Sequence, residues 1–281
     1  MKVYSDQFKL IYDPSDGEKE KWYINDHTII KAEDGWHLFG ITRQEPEAPL
    51  EEKYCAHAIS KDLLTDKMTK LPFPLAAEEA EGEVHFWAPH VIKVDDTYYM
   101  YYCAGSLEGH DQYRIHLATS KDLYTWKKHP ENPMLIDGFD ARDPMILRIN
   151  NEWVMYYTCN TSPSGGNHCV AAVHSDDLIH WSNKQNVFVD PEVGTYAGPC
   201  ESPFVVKVED WYFLFIGPRH DYSDTDVFAG KDPFDFRIEN KVGNIRSHAA
   251  EVIQIDDRYY ITRCGWGQGG VYLAPLTFEL S

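Results

Sequence analysis

Hydrophobic residues along this chain fall in short runs broken by acidic or amide turns, and one unit recurs five times. Each unit is an apolar run, a tight polar turn, and an aromatic residue opening a second apolar run. The aromatics are Trp36, Tyr98, Trp153, Trp211 and Tyr259, at spacings of 62, 55, 58 and 48 residues. In the second unit APHVIKV (88–94) and YYMYYCA (98–104) flank Asp95-Asp96-Thr97, which reads as a β-hairpin. The second run is apolar at successive positions, so both its faces should be buried between neighbouring sheets. IHLATS and SKDLYTW follow, and the third unit repeats the order as PMILRI, EWVMYYT, CVAAVHS and SDDLIHW. SKDLLTD (60–66) and GKDPFDF (230–236) echo the last phrase in the first and fourth units.

Self-similarity at this period signals a solenoid, an array or a propeller. No segment carries the 3.6-residue period of an amphipathic helix, which removes the helical repeats. The pattern predicts an all-β protein, a five-bladed β-propeller with four antiparallel strands per blade, as one domain over 1–281. Residues 27–41, 88–105, 143–159, 202–216 and 249–264 should form the central hairpins. Residues 2–12 should close the ring by pairing with the last blade, because closure removes exposed sheet edges.

The same repeat points to chemistry. Ten residues before each turn aromatic stand Asp26, Ala88, Asp143, Glu201 and Ala249. These positions should begin the innermost strand of each blade, which brings the three acids together at one mouth of the central channel. Two aspartates and a glutamate around one cavity are the equipment of glycoside hydrolysis. One carboxylate is ionised to attack or to activate water, and another is protonated to donate to the leaving oxygen. Crowding separates their pKa values.

Composition narrows the partners. A formal net charge of −19 argues against nucleic acid and against anionic membrane surfaces. The acidic stretches Glu45 to Glu52 and Glu78 to Glu83 read as solvated loops. The N-terminal MKVYSDQFKLIYDP lacks the apolar run of a signal peptide and no later stretch approaches a membrane span, so the expected location is the cytoplasm. Six cysteines (Cys55, Cys103, Cys159, Cys169, Cys200, Cys264) contain no C-x-x-C pair and are expected to be reduced.

The blade starts read Asn25-Asp26-His27, Trp87-Ala88-Pro89, Arg142-Asp143-Pro144, Glu201-Ser202-Pro203 and Ser247-His248-Ala249. With these motifs the whole chain resembles the five-bladed propeller glycoside hydrolases, the superfamily of families 43, 32 and 68. Trp-Ala-Pro is more similar to family 43, Asn-Asp and Arg-Asp-Pro to families 32 and 68, and the resemblance to family 43 is slightly favoured. His27 stands where fructan enzymes usually carry Pro, and Glu-Ser-Pro where family 43 usually has Glu-Gly-Pro. The resemblance implies a glycosidase with Asp26 as base or nucleophile, Asp143 as stabiliser and pKa modulator, and Glu201 as general acid. It implies a terminal arabinofuranoside or fructofuranoside as substrate, with a xyloside behind, on an oligosaccharide or small glycoside. Alternatives are a glycoside phosphorylase or transferase, for which Arg142, Arg219, Arg246 and Arg263 are the candidate phosphate ligands, and a non-catalytic sugar-binding propeller. Asn25, Trp87, His90, Arg142, His248 and Trp266 are candidate substrate contacts. No cofactor is required; a structural calcium near the axis, at His248, is the one metal candidate, and calcium prefers oxygen ligands.

Overall fold

The computed structural model describes residues 1–195, 198–219 and 221–280, without the side chains of residues 110 and 111. Each recurring unit folds as an antiparallel sheet around its hairpin. The first blade is Trp22–Lys31, Trp36–Gln44, Tyr54–Ser60 and Thr69–Leu71. The second is Trp87–Val94, Thr97–Ser106, Gly109–Ser120 and Trp126–Lys128, with the short Leu135–Ile136 also pairing with its third strand. The third is Arg142–Ile149, Glu152–Ser162, Gly165–Ser175 and Gln185–Val193, and the fourth Glu201–Val208, Trp211–Gly217, Asp224–Gly230 and Lys241–Arg246. In the fifth, Val252–Ile255, Arg258–Arg263 and Val271–Glu279 are completed by Lys2–Ser5, which pairs antiparallel with Val271–Glu279. The N-terminal strand therefore closes the ring, and Lys9–Tyr12 pairs with the same partner strand. Among the described residues only three short 3₁₀ turns are helical.

Burial follows the alternation of strand side chains. Met100 and Tyr102 of the second blade pack with Phe39 and Cys55 of the first, whereas Tyr101 packs with Met155 and Tyr157 of the third. Hydrophobic clusters form at every junction of neighbouring blades, and one of them joins Ile24 and Leu38 of the first blade to Ile253 and Tyr260 of the fifth. All six cysteines are free and buried.

The innermost strands share a β-bulge, which corrects the sequence register. Pairing skips two residues after Ile24, Trp87, Arg142 and Glu201 and resumes at His27, His90, Met145 and Phe204. The first bulged residue is left-handed in four blades: Ala88 (φ 42), Asp143 (φ 54), Ser202 (φ 50) and Ala249 (φ 48). A positive φ is costly for a residue with a Cβ, and its recurrence marks the bulge as a built feature that re-aims side chains. Asp26, Asp143 and Glu201 are thus not equivalent. Asp143 shares its position with Ser202, Glu201 shares its position with Arg142 and Trp87, and Asp26 aligns with Pro89, Pro144 and Pro203. The ten-residue count slips because Trp153 is the second residue of its strand whereas Trp36 and Trp211 are the first of theirs. It slips also because the first hairpin turn, between Lys31 and Trp36, is two residues longer than that between Val208 and Trp211.

Candidate active site

The bulges open onto one cavity of about 260 Å³ at an end of the axial channel. Asp26, Asp143 and Glu201 line it together with Asn25, Trp87, Arg142, His248 and Trp266, so three blades deliver the three acids to one place. Ser202 ties two of them: its backbone N–H donates to Asp143 Oδ2 at 2.9 Å and its hydroxyl donates to Asp26 Oδ2. Arg142 ties Asp143 to Glu201. Its Nη1 donates to Glu201 Oε1 at 2.8 Å and lies 3.7 Å from Asp143 Oδ2, while Nε meets Asp140 Oδ1.

The environments push two of the acids apart. Burial drives Asp26 upward, but the hydrogen bond and positive charge of His248 and the Ser202 hydroxyl outweigh it, leaving the carboxyl below the ordinary aspartate value. His248 Nε2 sits 3.5 Å from Asp26 Oδ1. Burial lowers the His248 pKa, yet the bond and charge of Asp26, with Glu201 and Asp143 behind, raise it on balance. Asp143 moves the other way. Burial raises it to about 7, helped by the charges of Asp26 and Glu201 and only partly opposed by Arg142. Two carboxyls of one cavity are thereby held in different protonation states near neutrality.

Four further residues were not legible as site residues. Ser202 sits in the Glu-Ser-Pro motif, and aligning the prolines of Trp87-Ala88-Pro89, Arg142-Asp143-Pro144 and Glu201-Ser202-Pro203 was the signal that would have placed it. Tyr222 donates to Asn25 Oδ1 at 3.1 Å and stacks on both His248 (3.9 Å) and Trp266 (5.1 Å, 5° between planes). Pro218 adds to the wall. Glu52 belongs to the stretch read as a solvated loop, yet it is 1 % exposed and lines the cavity. Glu83 is a second correction of that kind: it is buried, taking Tyr102 and Lys128 as donors.

His90, expected at the entrance, is not in this cavity. It resumes strand pairing after the bulge, so its ring turns into a narrower space of about 30 Å³ beneath the carboxylates, 3.4 Å from Glu251. His248 is the one candidate position for a calcium. His248 is held by Asp26 and stacked on Tyr222, and among the described residues no three His, Cys, Asp or Glu side chains are grouped to hold a metal.

Similarity to known proteins agrees with the propeller fold. The glycosyl hydrolases family 32 N-terminal domain matches residues 18–242. The chain belongs to this family. It is 28% identical over 182 residues to the 1,2-beta-oligomannan phosphorylase of Thermoanaerobacter sp. (strain X514), covering 61% of this chain and 54% of that one. It is 26% identical over 142 residues to arabinan endo-1,5-alpha-L-arabinosidase A of Aspergillus niger, covering 49% and 42%. The matches of this family 32 chain thus span about half the length of these curated relatives or less. Among solved structures, RS223-Beta-xylosidase superposes with a TM-score of 0.73 at 15% identity, over 98% of this chain and 96% of that one. The Bombyx mori GH32 beta-fructofuranosidase gives 0.65 at 17% identity, over 99% and 62%. These likenesses show the shared propeller fold.

Proposed function

We propose that this family 32 chain is a glycosidase that removes a terminal neutral sugar by hydrolysis. The observation that carries the reading is the meeting of Asp26, Asp143 and Glu201 in one cavity, with Asp26 held low as a base or nucleophile requires. In this reading Asp26 is the base or nucleophile and Glu201 protonates the leaving oxygen. Asp143, bonded to Ser202 and beside Arg142, steadies positive charge on the sugar and tunes its neighbours. A volume of about 260 Å³ lies below the usual range for drug-sized ligands, which supports a pocket for one sugar unit and exo action. Four lining carboxyls against Arg142 and His248 disfavour an anionic sugar. A terminal arabinofuranoside or fructofuranoside is the favoured substrate class, with a xyloside next.

The phosphorylase relative makes phosphorolysis the second reading. The cations disfavour it. Of the four candidate arginines only Arg142 lines the cavity, and it already faces Asp140, Asp143 and Glu201. Arg219 is paired with Asp190 and Asp226, Arg263 lies over the rings of Phe8 and Tyr272, and Arg246 is exposed. Screening aryl arabinofuranosides, fructosides, xylosides, galactosides and mannosides with and without inorganic phosphate tests both readings. Release of the aryl group in phosphate-free buffer at an undiminished rate is expected. Release that depends on phosphate would establish the second reading instead.

A further inference from the structure

Glu52 sits in this cavity in a setting that the acid–base chemistry does not use. It follows the 3₁₀ turn Pro49–Glu51, and that segment is pinned: Glu52 N–H donates to Pro49 O, Phe86 N–H donates to Glu52 O, and Trp87 Nε1 donates to Pro49 O. Its carboxyl is held equally firmly. Tyr23 Oη donates to Oε1 at 2.8 Å and Trp266 Nε1 donates to the same oxygen at 3.1 Å. Both of these donors land on Oε1, and the Trp87 indole N–H, which donates to Pro49 O, also bears on the carboxyl, so Oε2 takes neither of the two direct bonds. No Lys or Arg among the described residues forms an ion pair with it, although it is 1 % exposed.

A buried carboxyl without a cation is costly unless its oxygens find partners. Here the protein satisfies one oxygen and leaves the other in a ligand-sized space walled by Trp87 and Trp266. Burial lifts this carboxyl to about 7, with Asp26 adding to the rise, while the bonds from Tyr23, Trp266 and Trp87 pull the other way. Near neutrality the second oxygen can therefore either accept or donate. A sugar hydroxyl is also both donor and acceptor, so it matches either state, and the adjacent indoles supply flat apolar surface for the ring.

We infer that Glu52 is a sugar-recognition residue, which hydrogen-bonds a hydroxyl of the terminal neutral sugar through Oε2 between the Trp87 and Trp266 indoles. This rests on the glycosidase reading for the kind of ligand, and it adds a specificity determinant outside the acid trio. It assigns Glu52 to binding and not to bond cleavage.

The test is direct binding, which does not depend on turnover. L-arabinose, D-fructose, D-xylose and D-mannose are titrated into the folded protein while tryptophan emission, to which Trp87 and Trp266 contribute, is followed. At least one sugar should bind saturably to the wild type. Glu52→Leu should weaken that sugar by about tenfold or more, whereas Glu52→Gln, which keeps an acceptor for Tyr23 and Trp266 and offers a donor to the sugar, should stay within about threefold. With the aryl glycoside that the wild type cleaves, Glu52→Leu should raise KM and leave kcat nearly unchanged. Should Glu52→Leu fail to fold, Glu52→Asp replaces it, since withdrawing the carboxyl by one methylene should also weaken binding. Equal affinities in the wild type and in Glu52→Leu or Glu52→Asp would overturn the inference, as would saturable binding of none of the sugars. Failure of the glycosidase reading shows separately, as sugar binding without cleavage of any aryl glycoside.

Discussion

Asp26→Asn, Asp143→Asn and Glu201→Gln should each lower turnover by about 10²–10⁴-fold while shifting the melting temperature by only a few degrees. Each replacement is isosteric and keeps an oxygen where the structure needs an acceptor. The amide oxygen placed at position 26 would still accept from the Ser202 hydroxyl, that at position 143 from the Ser202 N–H, and that at position 201 from Arg142 Nη1. What each loses is the ability to carry charge or a proton. For Asp26 that loss removes a carboxylate held below its ordinary pKa, against the push of burial, by His248 and Ser202. Steady-state kinetics on the best aryl glycoside, with thermal unfolding alongside, reads both halves of the expectation. A variant with near-normal turnover removes its residue from the mechanism.

The second large effect is on stability. Arg142 is buried and serves Asp140, Asp143 and Glu201 at once, at 2.5, 3.7 and 2.8 Å. Arg142→Leu leaves these carboxyls without their cation, and breaking a buried pair in this way typically costs about 3–5 kcal/mol. The cost should depend on pH. Burial already raises Asp140, and burial with neighbouring charge raises Asp143 to about 7. A carboxyl whose folded pKa lies above its unfolded value favours the folded state most at low pH, and that contribution is lost as pH rises through the folded pKa. Without Arg142 these values rise further, so the deficit should be larger at pH 8 than at pH 5. Thermal unfolding of both proteins at the two pH values checks this, and an equal deficit at both would show that the arginine is not holding the carboxyls ionised.

The fold was legible because each blade has to bury its second strand on both faces. Runs such as YYMYYCA admit little else, and the repetition of that run in five units specified the ring. Which residues meet in the pocket was legible for a weaker reason. The innermost strands all point at the axis, so an acid near the start of any of them ends close to the others even when the register is one residue out. That is why Asp26, Asp143 and Glu201 converge although they occupy three successive places of the bulge. His90 shows the cost of the same slip, because one residue beyond the bulge faces a different space. Glu52 and Tyr222 were hidden for another reason. They reach the cavity from connecting segments, where neither period nor repeat constrains the side chain, and charge pattern alone made Glu52 look solvated.

The division of labour between the acids is tested most directly by changing the leaving group. Wild type, Glu201→Gln and Asp143→Asn are compared on phenyl and dinitrophenyl glycosides of the same sugar. A dinitrophenolate departs without a proton, whereas a phenolate needs one. If Glu201 is the proton donor, Glu201→Gln should lose about 10²-fold or more on the phenyl glycoside and less than about tenfold on the dinitrophenyl one, while Asp143→Asn should lose similarly on both. Equal losses on both substrates for Glu201→Gln, or selective loss in Asp143→Asn, would contradict the assignment of Glu201 as the acid.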